Sequence, residues 1–230
     1  MDQDLVIVGS LTGLGEGEQL YATRFMGDYA YLVTFRRIDP LFVIDLSDPA
    51  DPRVTAELKI PGFSDMLQPI SDGLLVGIGY IWEDGVNKLK VSLFNVSDPT
   101  NPMEISNLTI GGDWVRSEAS MDHKAILVTP IEGVFGIPIS IHEVKTINID
   151  EGGQAINVTM NVPVYKYLIL DARDGGLSII EEINIFEDNL STKYGKRGYI
   201  SWIEYIRGIY IDNNIYVVTP YGIIVEPLEL

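Results

Sequence analysis

The chain has 230 residues, 33 of them acidic and 16 basic, for a net charge of −17. Such a field repels phosphate backbones and anionic headgroups, which sets aside nucleic acid and the membrane surface as partners. Cysteine is absent, so disulfides, thiolate metal sites and cysteine nucleophiles are excluded.

In chain order, residues 5–13 (LVIVGSLTG) read as a strand with no basic flank, and no stretch approaches the roughly 20 apolar residues of a membrane span. A soluble chain is expected, with no direct membrane insertion. Glycines 13, 15 and 17 (TGLGEGEQ) look superficially like a phosphate loop, but Glu16 and Glu18 follow in place of a lysine and repel phosphate. The stretch 26–62 then sets the pattern for the rest. A Gly27-Asp28 turn precedes a β-rich run, a second run ends at Asp45, and a proline-bracketed turn (SDPADP) leads into a third.

That pattern returns. VIDLSDPADP after residue 42 is echoed by LFNVSDPTNP fifty residues later and, more loosely, by LILDARDGG around Asp171. The tight turn recurs at Asp28, Asp72, Glu132 and Asp212. The expected strands are 20–26, 29–35, 41–45 and 54–60 in the first copy; 66–70, 74–81, 90–95 and 104–110 in the second; and 125–131, 134–141, 164–170 and 177–185 in the third. Four-stranded units repeating at about 40 to 50 residues are the sign of β-propeller blades. Residues 5–13 align with the fourth strand of the other copies, whereas the last copy ends after its third. The expectation is therefore an all-β, single-domain propeller spanning 1–230, with four antiparallel blades closed by the N-terminal strand. The third copy carries about twenty extra residues, read as a protruding hairpin at 142–163 around Glu151, Gly152 and Gly153.

The run RFMGDYAYLVTFRRIDPLFVIDLSDPADPRVTAELKIPGFSDML, with SLFNVSDPTNP and SEASMDHKAILVTP, resembles the C-terminal β-propeller domain of a family of secreted archaeal and bacterial proteins distantly related to WD40 repeats. The resemblance covers about 5–225. It implies a propeller displayed outside the cytoplasm, extracellular or on the cell surface. Members of that family are longer, so the resemblance also implies a segment of a larger protein. The alternative architecture is an arc of a seven- or eight-bladed ring, which two chains could build edge to edge as a homo-oligomer.

Four Asn-x-Ser/Thr sequons, at Asn95, Asn107, Asn157 and Asn189, lean the same way, towards export. Candidate chemistry gathers in SEASMDHKAIL, where Glu118, Asp122 and His123 could bind a metal or serve Ser120 as a general base. No nucleophile elbow accompanies them, and a hydrogen-bonding structural role for His123 is the competing reading. The turn residues Asp45, Asp48, Asn95 and Asp98 offer oxygens to Ca²⁺, but they lack the pattern of a calcium loop and serve equally as turn caps. No cofactor is assigned. The aromatics Trp82, Trp114, Trp202, Tyr194, Tyr199 and Tyr205 lie near loops, as a peptide- or glycan-binding surface would need. The sequence thus favours a non-catalytic scaffold or recognition module that binds protein or glycan through one loop face, with Asp65, Asp122, His123, Glu204, Trp114 and Trp202 as candidate ligand contacts. The rival is an enzyme or metal-dependent binder at the mouth of the central channel.

Overall fold

In the computed structural model, residues 6–35, 39–111, 114–151, 154–185 and 205–229 are described. Fifteen strands among them form four antiparallel meander sheets. The first sheet holds β1 (Gln19–Met26), β2 (Tyr29–Phe35), β3 (Asp39–Asp45) and β4 (Arg53–Ile60). The second holds β5 (Phe63–Ser71), β6 (Leu74–Glu83), β7 (Val86–Asn95) and β8 (Met103–Ile110). The third comprises β9 (Leu127–Val128), β10 (Val134–Glu151), β11 (Gln154–Asp171) and β12 (Ser178–Asn184). The fourth has β13 (Arg207–Ile211), β14 (Asn214–Thr219) and β15 (Gly222–Pro227).

Burial explains the strand order. The middle strands β6 and β7 bury Leu75, Val76 and Ile78, and Leu89, Val91, Leu93 and Phe94, on both of their faces. Such continuous burial is the signature of a sheet covered on both sides. Outer strands β4 and β8 instead alternate towards solvent. One buried cation breaks the apolar run: Lys90 on β7 donates to the Pro61 carbonyl at 2.8 Å. Its Nζ also lies 2.7 Å from Glu104 Oε1, an ionic approach out of line for a hydrogen bond, which leaves Oε1 without one.

The turns hold these sheets through one repeated hydrogen bond. The residue that ends or follows the third strand donates its N–H to the carbonyl of the turn between the first and second strands. Leu46 donates to Asp28, Val96 to Gly73, Ala172 to Gly133 and Leu228 to Asn213, at 2.7 to 3.0 Å. Beside this bond, Asp45 Oδ1 accepts from Ser47 N, Asn95 Oδ1 from Ser97 N and Asp171 Oδ1 from Arg173 N. Further along the same turns, Asp48 and Asp98 accept from Ala50 N and Thr100 N. These are Asx turns, the conformation for which Asp and Asn are selected. Side-chain hydrogen bonds from Ser47, Thr100 and Arg173, with the backbone bonds beside them, hold the carboxyls of Asp45, Asp98 and Asp171 below the usual carboxylate range.

The chain folds as two compact units. The first comprises 1–81, 90–108 and 174–177, and the second comprises 82–89, 109–173 and 178–230. In the first unit, the first and second sheets pack around Tyr31, Val33, Leu41, Val43, Leu67, Leu75 and Phe94. Tyr21 on β1 stacks obliquely on Phe63 of β5, with ring centroids 5.4 Å apart. In the second unit, the third and fourth sheets pack around Tyr165, Tyr167, Ile169, Ile206, Ile215 and Val217. Tyr167 is fully buried and donates to the Ala125 carbonyl. Its hydroxyl occupies the space a side chain at Gly208 would need, since a Cβ there would come within 2.3 Å.

The structure departs from expectation in two places. Residues 6–18 form no strand, and the fourth sheet has three strands, so closure by an N-terminal strand is not formed among the described residues. That segment instead lies against the Asp-Pro turn of the first sheet, where a Cβ at Gly9 would stand 2.2 Å from the Pro49 carbonyl. The first strand of the third sheet, expected over 125–131, shrinks to β9 because Ser117 and Asp122 cap two 3₁₀ turns, Glu118–Ser120 and His123–Ala125, just ahead of it. The hairpin at 142–163 continues the sheet. β10 and β11 run through it without a register shift, from Val134↔Asp171 to Glu151↔Gln154.

Candidate functional site

Arg116 and Ser140 form an isolated bridge, their N–H groups exchanging bonds at 2.9 and 2.8 Å. The chain then leaves β geometry. Ser117 Oγ donates to the Pro138 carbonyl at 2.6 Å and accepts from Ala119 N, which starts the first 3₁₀ turn. Asp122 Oδ1 accepts from Lys124 N and starts the second. Both turns are thus built by local side chain to backbone bonds that compete with the ladder.

The result is a charged knot around Arg207, the first residue of β13. Its guanidinium donates to Glu118 Oε1 at 2.8 Å through Nη1 and to Asp122 Oδ2 at 2.6 Å through Nη2. Nη1 also donates to the Ile206 carbonyl. Glu118 is only 11% exposed and accepts two further bonds, from Tyr205 N at 3.1 Å and Ile206 N at 3.2 Å. The guanidinium carbon stands 5.9 Å from the centre of the exposed Tyr205 ring. Pairing of two carboxylates by one cation in this way suits the planar guanidinium fork and cannot be copied by lysine. A shallow cleft opens beside the knot, lined by Arg116, Glu118, Ser140, Tyr165 and Ile206 among others.

Of the sequence candidates, Asp122 is therefore engaged in an ion pair and a turn cap. His123 is not the hydrogen-bonding residue expected. Its ring is 62% exposed, and Nδ1 lies 3.9 Å from Asp122 Oδ1, beyond hydrogen-bonding reach. Ser120 is buried and its hydroxyl donates to the Ser117 carbonyl, an orientation that does not make it a nucleophile for His123. Trp114 is exposed and holds a left-handed backbone, φ 64°; Trp82 is also exposed. Trp202, Glu204, Tyr194, Tyr199 and Asn189 lie outside the described residues. No group of three or more His, Asp or Glu side chains positioned to hold a metal occurs among the described residues.

Asp65 stands apart from this knot. It is the extra residue of a β-bulge in β5, between the pairs Ser64↔Gly79 and Met66↔Ile78. Tyr21 occupies the equivalent bulge in β1, between Leu20 and Ala22. A bulge re-aims one side chain out of the alternation. In β5 this leaves a half-buried carboxyl whose pKa burial pushes up to about 6.

No motif singles out Arg207, yet the sequence carries a signal for it: after Arg197 there is no other basic residue. A lone cation in an acidic, apolar tail is positioned to meet a carboxylate from elsewhere.

Four meander sheets with Asx-capped turns, and polar side chains bound to backbone or to each other, define a repeat-built all-β protein. The chain belongs to the β-propeller domain family, whose model matches residues 1–229. It is 48% identical over 142 residues to an uncharacterized protein of Methanocaldococcus jannaschii, an alignment covering 62% of this chain and 22% of that one. It is 36% identical over 198 residues to an uncharacterized protein of Archaeoglobus fulgidus, covering 85% and 30%. The chain thus spans less than a third of the length of the curated relatives it matches. The crystal structure of the computationally designed Ika4 protein is a distant likeness, with a TM-score of 0.47 and 12% identity over the whole of both chains.

The charges make two predictions. Arg207→Ala leaves Glu118 and Asp122 partly buried without their cation, and is expected to cost about 2 to 3 kcal/mol of stability in urea unfolding, with little rescue by lysine. Asp65 has a raised folded pKa, so its proton stabilises the fold below about pH 4, and that contribution is lost as pH rises through about 6. Asp65→Asn should therefore raise the free energy of urea unfolding at pH 7 by about 1 kcal/mol after allowing for solvent screening, and leave it nearly unchanged at pH 4.

Proposed function

We propose that this chain is part of an extracellular or cell-surface β-propeller that acts without catalysis, as a scaffold that recognises protein or glycan through loops at one face. The observation that carries the reading is the Arg207 knot. The acidic side chains best placed for chemistry, Glu118 and Asp122, are bound by a guanidinium and by backbone N–H groups. Groups so fixed shape a surface and are poor proton carriers.

The projecting hairpin supplies the surface. Beyond the pair Ile141↔Val164, β10 and β11 have only each other as neighbours among the described residues, since β9 reaches Phe135 and β12 reaches Lys166. Ten further pairs extend this ribbon by about 35 Å. A free two-stranded ribbon is marginal alone, and its length is better suited to reaching a partner than to covering a core. Calcium as a ligand stays within this reading only at loop carbonyls, because Asp45, Asp48 and Asp98 already cap turns.

The test uses the full-length protein in its own cells. Protease added to intact cells should cleave it, and replacing 143–162 by an Asn-Gly turn should keep the melting temperature while abolishing retention on cell-envelope material. Protection from protease overturns the location, and unchanged retention overturns the role of the ribbon.

On the same reading, residues 5–13, which pair with no strand among the described residues, join the outer edge of a blade once the ring is complete, whether it has four blades or is the larger ring of a longer protein. In support, the N-terminal segment meets the Pro49 turn much as β4 meets the next turn, where Thr55 Oγ1 donates to the Pro99 carbonyl, and as β8 meets the following one, where Ser106 Oγ accepts from Leu177 N. Removing residues 1–13 should lower the melting temperature by several degrees and promote self-association in sedimentation. A truncated chain that melts unchanged as a monomer overturns it.

A further inference from the structure

The sequons divide by what the fold does with each asparagine. Asn95 takes the place that Asp45 has in the first sheet. It is half-buried, and its Oδ1 accepts the Ser97 N–H, so its side chain is part of the Asx turn. The triplet Asn95-Val96-Ser97 is thus explained by the turn. Asn107 and Asn157 have no such use. Both are exposed, and among the described residues neither side chain makes a hydrogen bond. The third residues of their triplets, Thr109 and Thr159, are also exposed.

Both asparagines lie on strands with one paired strand neighbour among the described residues. Asn107 is in β8, the outermost strand of its sheet, with β7 as its one paired strand among the described residues. Asn157 is in β11 where, among the described residues, the ribbon has no third strand, opposite Asn148. An exposed edge offers its free N–H and C=O groups to any other strand, and proteins guard such edges with bulk or charge. Other edges here carry charge: β4 holds Glu57 paired with Lys59, and β12 holds Glu181 and Glu182. Around Asn107 the sequence Ile105-Ser106-Asn107-Leu108-Thr109 has none, since the one charge of β8, Glu104, is mostly buried against Lys90, and neither does Ala155 to Pro163 around Asn157.

We infer that Asn107 and Asn157 are N-glycosylation sites and that Asn95 is not. The reaction joins the side-chain amide nitrogen to C1 of the first sugar of a lipid-linked oligosaccharide. The C1–O bond to the lipid phosphate breaks as the C–N bond forms, the amide proton passes to a base of the transferase, and the lipid phosphate leaves. The bulky, hydrated glycan then covers a stretch of edge whose immediate neighbours carry no charge. The inference rests on the extracellular reading above and specifies which positions that compartment would modify.

The test is glycopeptide mapping of the native full-length protein by electron-transfer fragmentation, run beside protease accessibility on intact cells. Glycan mass on the peptides bearing Asn107 and Asn157, with the Asn95 peptide unmodified, is the expected result. Thr109→Ala should remove the glycan from Asn107 alone while leaving the asparagine in place, and Asn157→Gln should remove the other. Unmodified Asn107 and Asn157 in a protein that external protease reaches overturn the glycan assignment and spare the location. Unmodified peptides in a protein that protease does not reach overturn both. Glycan at Asn95 overturns the division drawn from the turn.

Discussion

The fold depends on a backbone bond that closes each meander on itself. The N–H at the end of the third strand meets the carbonyl of the first turn in all four sheets, through Leu46, Val96, Ala172 and Leu228. The bond fixes where the third strand stops relative to the first hairpin, and so fixes the register of the sheet. Side-chain identity enters only through what makes this closure inexpensive: an Asp or Asn that caps the next turn, and a turn pair such as Asp212 and Asn213 able to hold left-handed φ angles of 48° and 62°. Because the closing bond is made by backbone, the four copies tolerate wide sequence divergence. The last copy keeps it with neither the proline bracket nor the capping aspartate.

On that frame, differences between copies are confined to places where local side-chain bonds outcompete the ladder. In the third sheet, Ser117 and Asp122 draw the backbone into two tight turns, and the first strand is cut to two residues. Those turns present Glu118 and Asp122 to Arg207, so the sacrifice of strand hydrogen bonds creates an ionic tie between the third and fourth sheets. Tyr167, set against Gly208, makes a second tie between the same sheets from within the core.

The repeat is legible in the sequence because its signals are local: alternating apolar residues, a two-residue turn, and Asx followed by proline. Strands of the first two sheets accordingly fall within a few residues of expectation, β1 to β8 from 19 to 110. What is not legible depends on distant partners. His123 draws the eye as one of two imidazoles, yet its ring is open to solvent, while the residue that organises its neighbourhood, Arg207, is 84 positions away in sequence and carries no motif. The N-terminal segment has the apolar, β-branched run of a strand, but such a run says only that a segment can pair, and not with which edge. Asp65 stands out in the sequence for its charge, whereas its distinctive property is the bulge, which a single sequence reveals only through the pairing on either side.

The unbroken register of β10 and β11 governs how this lineage can change. Since both strands continue directly from the sheet, the ribbon inherits its twist and its two faces from the core, with no hinge to reset them. Residues gained or lost as matched pairs lengthen or shorten it and conserve every face upstream. A single residue gained within one strand would need a bulge or would exchange the faces from that point to the tip. The ribbon's reach is therefore freely adjustable by evolution, while the orientation of the surface it presents is inherited from Val134 and Asp171 at its base.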